Sequence, residues 1–283
     1  MSSTKYFLIA LLVIMVGSLK AQEQEPAKPL ELNFHLAPAI TLIKSNTFGS
    51  EEKANTGFAG GADLTYYFKT VNKIKVGVSA GLNYSFYKTT RNLNYNDSVL
   101  TTDIDNEQVH LFEQGNNLEE VQKISFIDIP LLLHFNYTLS PKLEANLKLG
   151  PYLSFVAGNS FTSTTIYTSK GYYPKFNALV YNVDVDDSPY FYPTQKPISD
   201  HGKLKLKGNM GLEIGLGLKY RLNPKYTISV GVSSYMGLKN LSDYPGEQKA
   251  LVNSDRSINS VMKRLDKINA KAYCLELGFA FYL

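Results

Sequence analysis

Residues 272–283 read Ala-Tyr-Cys-Leu-Glu-Leu-Gly-Phe-Ala-Phe-Tyr-Leu, and their alternation decides the fold. Successive side chains of an extended chain point to opposite faces. Tyr273, Leu275, Leu277, Phe279, Phe281 and Leu283 therefore share one face, and Ala272, Cys274, Glu276, Gly278 and Ala280 share the other. One face is large and apolar, the other small or charged. The same division recurs at Met210, Leu212, Ile214, Leu216, Leu218 and Tyr220 against Asn209, Gly211, Glu213, Gly215, Gly217 and Lys219. It recurs again at Ile127, Ile129, Leu131, Leu133, Phe135 and Tyr137 against Asp128, Pro130, Leu132, His134 and Asn136. Period-2 alternation of this kind marks strands with two chemically different faces.

Eight such stretches run through the chain, roughly 31–43, 56–68, 74–88, 122–138, 143–157, 204–221, 226–238 and 269–283. Each is longer than the ~5–6 residues usual for a soluble sheet. The connections alternate in length. Residues 69–73, Ser140-Pro141-Lys142 and Asn223-Pro224-Lys225 make short turns, whereas 44–55, 89–121, 158–203 and 239–268 are long. Short turns on one side and long loops on the other predict an all-β, eight-stranded antiparallel up-and-down transmembrane barrel. An even strand number puts both ends of the strand series at the short-turn, periplasmic side.

A soluble eight-stranded barrel such as a lipocalin also alternates, with its apolar face lining a cavity. Here the opposite face carries Gly57, Gly61, Gly77, Gly81, Gly211, Gly215, Gly217 and Gly231, together with Asp63, Lys75, Asp128, Glu144, Lys148, Glu213, Lys219, Arg221 and Glu276. Eight strands leave an interior barely wide enough for side chains, so small and mutually paired residues belong inside. Aromatic residues agree. Tyr66, Phe68, Phe135, Tyr137, Tyr220, Tyr226, Phe279 and Phe281 fall at the periplasmic strand ends, and Phe58, Tyr84, Phe86, Phe155 and Tyr273 at the opposite ends. Two aromatic girdles around an aliphatic band suit a bilayer.

Residues 6–17, Tyr-Phe-Leu-Ile-Ala-Leu-Leu-Val-Ile-Met-Val-Gly, follow Lys5 and precede a small-residue stretch ending Ala21-Gln22. This reads as a signal peptide over 1–22, leaving one barrel domain over 23–283. The apolar run is shorter than the ~20 residues of a spanning helix. Charge and composition fit export. The 283 residues carry a net +4, 19% charged and 12% aromatic side chains, and one cysteine, Cys274. That content argues against disorder, a disulfide framework and a multi-thiolate metal site. No basic run exceeds two residues, so a nucleic-acid partner is not expected.

The stretch from Ile124 to Tyr137, Ile-Ser-Phe-Ile-Asp-Ile-Pro-Leu-Leu-Leu-His-Phe-Asn-Tyr, followed by Leu147-Lys-Leu-Gly-Pro-Tyr-Leu153, resembles the Bacteroidetes outer-membrane β-barrel family that includes PorT-like proteins. The leader ending Ala-Gln and the apolar last strand are also similar to that group. The resemblance implies an outer-membrane location and, for the PorT branch, a part in type IX secretion.

Candidate chemistry is sparse. Gly77-Val-Ser-Ala-Gly81 matches the G-x-S-x-G pattern, but that nucleophile needs a sharp strand-to-helix turn, and here it lies mid-strand. A lipid-directed enzyme of the lipid A deacylase type needs serine and histidine facing the membrane. His35 and His134 fall on the lumen face, and His110 and His201 in long loops. The lipid-facing polar residues Lys123, Ser125 and Ser234 have no histidine in register. Asp103-Ile-Asp105-Asn106-Glu107 and Asp184-Val-Asp186-Asp187 offer clustered oxygens but lack the glycine and terminal glutamate of an EF-hand. Phe161, Tyr167, Tyr172, Tyr173, Phe176, Tyr181, Tyr190, Phe191 and Tyr192 crowd the third long connection. They suit either partner or glycan contacts or strand extensions that pack on one another. Residues 259–268 predict a short amphipathic helix over the barrel mouth. The expectation is thus a non-enzymatic outer-membrane barrel with no catalytic, cofactor-binding or metal residues. Its expected partners are outer-membrane lipid, lipopolysaccharide and other surface or secretion components. Six positive groups (Lys75, Lys148, Lys205, Lys207, Lys219, Arg221) and six negative ones (Glu31, Asp63, Asp128, Glu144, Glu213, Glu276) are expected to pair inside the lumen, with Tyr67, Tyr87, Tyr152 and Tyr235 as packing. A lumen filled in this way does not conduct.

Overall fold

The computed structural model describes residues 30–45, 51–103, 105–181, 196–243, 251–252, 257–264 and 267–283. The expected signal peptide lies outside them. Ten strands follow in order: β1 (Leu30–Ser45), β2 (Glu51–Val71), β3 (Ile74–Thr102), β4 (Gln108–Ser140), β5 (Leu143–Tyr173), β6 (Ala178–Val180), β7 (Lys196–Gly202), β8 (Asn209–Arg221), β9 (Tyr226–Gly237) and β10 (Ile268–Tyr282). Eight of them close a ring. The order is β4-β3-β2-β1-β10-β9-β8-β5, and β4 pairs with β5 to complete it. All these pairings are antiparallel, and each of the eight expected strands pairs with its expected neighbours.

Alternation places the side chains as the sequence predicts. Leu36, Leu82, Ile129, Leu216, Val232, Leu275 and Leu277 are exposed on the outer wall, while Glu31, Asp63, Asp128, Glu213 and Lys219 are buried inside. The outer band runs from the level of Phe135, opposite Val76, to Phe86. Ten residues at ~3.3 Å rise and ~40° tilt span about 25 Å, the height of an outer-membrane apolar band. The short connections are tight. Asn72 adopts a left-handed φ of 52° between β2 and β3, a conformation asparagine tolerates.

Three expectations need correction. The connections 89–121 and 158–203 are largely strand, because β3, β4 and β5 continue beyond the band for more than a dozen residues each. The sixth barrel strand begins at Asn209 and not at 204. Above Ser154, opposite Asn209, the edge of β5 is taken by β7, whose residues 196–202 pair with 161–167. Residues 203–208, which in the same register would face 155–160, leave β5 and turn toward 241–243: Lys207 N–H donates to the Leu241 carbonyl, Leu206 bridges to Ser242, and Leu204 packs into the core. Lys205 and Lys207 are consequently exposed, and Lys207 pairs with Asp243 at 3.0 Å rather than with a lumen group. Finally, the expected helix over 259–268 is one 3-10 turn, Val261–Arg264.

Candidate functional site

Two regions could carry function: the lumen, and the extension of β3, β4 and β5 beyond the membrane, hereafter the blade.

The periplasmic half of the lumen is an ion-pair network. Lys219 Nζ lies 2.6 Å from Glu31, Lys148 Nζ 2.8 Å from Glu213 and 2.9 Å from Glu276, and Lys75 2.8 Å from Glu144. Arg221 reaches the same Glu144 at 2.7 Å. Tyr67 donates to Glu31, and Asn136 to Tyr67. Asp63 accepts from Asn33 at 2.9 Å and faces His35 Nδ1 at 3.5 Å. Among the described residues Asp128 has no cation within ion-pair distance, contrary to the expected pairing, and accepts instead from Ser85 and Ser154. Charges removed from water are costly unless paired, and each of these four lysine and arginine cations has a carboxylate within 2.8 Å, although among the described residues Glu213 has no hydrogen-bond donor beyond that pairing. A void of about 40 Å³ remains among Asp63, His134, Lys148 and Lys219, large enough for water alone.

The outer half of the lumen is apolar. Tyr87, Phe126, Tyr152 and Tyr235 stack as a plug, with Tyr87 edge-on to Phe126 at 5.5 Å and Tyr152 edge-on to Tyr235 at 5.7 Å. Gly211 makes room for it, since a Cβ there would stand 2.4 Å from the Tyr152 ring. Above the plug, Ile43, Ile124, Phe161, Leu241, Met262 and Ile268 continue the same core. Inward side chains of β1, β3, β4, β5, β9 and β10, together with Leu241 and Met262, thus fill the outer half of the lumen.

The blade has a core of its own. Tyr95, Leu118, Tyr167, Leu251, Val252, Ile258 and Val261 bury together. Two buried carboxylates of β4 hold residues 251–252 and 260–261. Glu113 accepts from the Tyr167 hydroxyl at 2.8 Å and from the backbone N–H groups of Leu251 and Val252. Glu120 accepts from Ser163, Ser260 and the Val261 N–H. Burial, with the Glu113 charge beside it, holds the Tyr167 hydroxyl well above its usual pKa, so it remains a donor. Lower in the blade, Arg91 is fully buried, donates to Ser45 Oγ at 2.6 Å and lies 3.2 Å from Glu52. Burial pushes the guanidinium down from its usual value, while Glu52 and Glu120 hold it up. None of these three charged residues was singled out from sequence. For Arg91 and Glu120 the available signal was their parity, which matches the inward set of their strands, whereas Glu113 lies beyond a bulge that reverses the parity of β4.

The outer face of the blade is different. Leu100 stands opposite His110, His110 opposite Tyr172, and Tyr172 opposite Leu179, so these four form one row across β3, β4, β5 and β6. Phe112 lies in the next row beneath Lys170, whose Nζ is 5.7 Å from the ring centroid. The tyrosine-rich connection thus divides. Phe161 and Tyr167 are core, Tyr172, Tyr173, Phe176 and Tyr181 are not, and Tyr190, Phe191 and Tyr192 lie outside the described residues.

The remaining candidates take the following positions. Ser79 Oγ is 2.9 Å from His134 Nε2, but both are buried in the network, so the G-x-S-x-G serine has no substrate path. His35 is also in the lumen, and His110 and His201 sit on β4 and β7 rather than in loops. Asp103 caps the β3–β4 turn, accepting from the N–H groups of Asp105 and Glu107 and from the Tyr173 hydroxyl. Asp184, Asp186 and Asp187 lie outside the described residues. Among the described residues no group of three or more His, Cys, Asp or Glu side chains is placed to hold a metal.

The sequence model of a family described as "Outer membrane protein beta-barrel domain" matches residues 20–243. Among solved structures, the chain is similar to the attachment invasion locus protein Ail of Yersinia pestis, at 12% identity and TM-score 0.30 over 89% of this chain and 98% of that one. It is similar to OprG of Pseudomonas aeruginosa, at 13% and 0.35 over 89% and 93%. It is also similar to the outer membrane protease OmpT of Escherichia coli, at 9% and 0.35 over 93% and 99%. No curated protein matches the sequence.

Proposed function

This chain belongs to the outer membrane protein β-barrel domain family, and we propose that it is a non-enzymatic barrel that carries the blade at the cell surface for contact with other outer-membrane or secretion components. Its location is the outer membrane. The observation that carries the reading is the conjunction of a sealed lumen with a blade that has its own buried core. A filled interior offers no route for solute. A blade tied down by Glu113 and Glu120 is a rigid surface rather than a set of loose loops. The row Leu100, His110, Tyr172 and Leu179 supplies apolar and aromatic contact area of the kind partner surfaces use.

Within this reading, the PorT-like resemblance of Ile124–Tyr137 and Leu147–Leu153 makes type IX secretion the process the protein serves. Residues 23–283 act as one unit after removal of 1–22. The test is deletion of the gene followed by measurement of type IX cargo in the culture medium and of lipid A masses. Loss of cargo with an unchanged lipid A spectrum supports the proposal. Normal cargo, or a lipid A mass shift tied to the deletion, overturns it in favour of another process or of a lipid-directed enzyme. The refolded barrel in a planar bilayer should give no stable stepwise openings. Porin-sized steps would contradict the sealed lumen.

A further inference from the structure

On the outer wall, one feature runs against the rules of strand pairing. Lys88 on β3 stands directly opposite Lys123 on β4. Both point away from the lumen, because their neighbours Tyr87, Thr89, Gln122 and Ile124 are the buried, inward residues. Like charges directly opposed on one face of an antiparallel pair, with Cβ atoms ~5 Å apart, destabilise it. Lys53 on β2 adds a third positive charge one row further out, opposite Thr90. Among the described residues none of these three lysines has a carboxylate within ion-pair distance. The nearest outward carboxylates on these strands, Glu51 and Glu119, stand level with Asn92. That is four residues, about 13 Å along the strand, from Lys88 and Lys123, and two residues, about 7 Å, from Lys53.

The cluster has a floor. Immediately toward the membrane, the Phe58 ring lies between those of Tyr84 and Phe86, each with its centroid 5.8 Å away. Tyr84 donates to Ser125 Oγ at 2.8 Å, which leaves the Ser125 proton directed elsewhere. These residues belong to the outer aromatic girdle, so the lysines sit at the level where the headgroups of the outer leaflet begin.

We propose that Lys88, Lys123 and Lys53, with Ser125 beneath them, form a binding site for the phosphate group of an outer-leaflet lipid, its acyl chains lying along Phe58, Tyr84 and Phe86. A phosphate placed between Lys88 and Lys123 converts their repulsion into two charge-assisted hydrogen bonds. The aromatic floor selects a lipid over a soluble phosphate, because only a lipid covers that surface. This site rests on the outer-membrane location alone and not on the role in secretion.

The test uses the refolded full-length mature chain in a neutral, non-ionic detergent, with lipid retention read by native mass spectrometry and unfolding temperature by heat-modifiable migration on gels. Lipid A should remain bound, while dephosphorylated lipid A and inorganic phosphate at the same concentration bind at least fivefold more weakly. The double variant Lys88→Gln/Lys123→Gln should lose lipid A binding about tenfold. Its unfolding temperature without lipid should be equal to or above wild type, because the opposed charges are gone. Lys142→Gln/Lys225→Gln, at the periplasmic turns, should bind as wild type does. Three results would overturn the proposal: undiminished binding by the Lys88/Lys123 variant, equal binding of inorganic phosphate, or a lowered unfolding temperature for that variant in the absence of lipid.

Discussion

Strands β3, β4 and β5 pass through two environments, and their chemistry inverts between them. In the membrane, β4 turns Asp128, His134 and Asn136 inward and Ile127, Ile129, Leu131 and Leu133 outward. Above the membrane the same strand turns Phe126, Ile124 and Leu118 inward and Ser125, Lys123 and Glu119 outward. The ladder runs on, and the apolar set changes face between Phe126 and Ile127. On β3 the change falls between Phe86, which faces out, and Tyr87, which is buried. Lipid rewards apolar groups on the outside and water rewards them on the inside, so adjacent large apolar residues on a strand mark where one solvent gives way to the other.

Both regions also bury charge, in different ways. The lumen matches cation to carboxylate, whereas the blade satisfies Glu113 and Glu120 with hydroxyl and backbone donors. Removing one partner should therefore affect the two regions unequally. Lys148→Met leaves Glu213 and Glu276 without their shared cation and should cost about 3–5 kcal/mol. It should be read as a lowered urea midpoint for the heat-modifiable folded form, with barrel and blade failing together.

Glu113→Ala removes an acceptor shared by the Tyr95 and Tyr167 hydroxyls and the Leu251 and Val252 N–H groups, but sits outside the membrane. The expected cost is about 2–4 kcal/mol, borne by the blade alone. Limited proteolysis should then cut between residues 90 and 122 while the barrel still migrates as folded. Loss of the barrel in the same transition would show that the two regions are one cooperative unit.

Tyr167→Phe tests the blade with a smaller change, about 1 kcal/mol near neutral pH. The sign of its pH dependence follows from the raised pKa of the folded hydroxyl. The hydroxyl's stabilisation is complete below the unfolded tyrosine value of about 10 and is lost as pH rises beyond it. The gap in protease resistance between wild type and Tyr167→Phe should be constant from pH 7 to about 9.5 and shrink above 10. Lys175→Ala, which removes an exposed pair with Glu107 at the blade tip, should change neither region by more than about 0.5 kcal/mol in the same assay.

The barrel was legible in the sequence because its apolar face is uninterrupted. β10, β8 and the membrane part of β4 alternate without a break, and their short turns fix the neighbours. The blade was not legible because its strands carry Thr, Ser, Asn and Glu on both faces, and a bulge shifts the parity of β4. Asn117, at φ 52°, moves the inward set from Leu118 and Glu120 to Leu111 and Glu113. Lys205 and Lys207 misled for the converse reason. Their alternation continues that of β8, but residues 203–208 leave the edge of β5 and bond to 241–243 instead. Lumen charges could be listed by parity, whereas their partners could not, since Lys219 meets Glu31 only once the eight strands close with a particular stagger.

The central claim is that the segments beyond the membrane are a folded body continuous with the barrel. Hydrogen–deuterium exchange of the refolded protein in a lipid bilayer tests it most directly. The account predicts that 93–102, 109–121 and 161–171 exchange slowly, over minutes to hours, with protection comparable to barrel strands β8 and β9. Complete exchange of these three segments within seconds, while β8 and β9 remain protected, would contradict it.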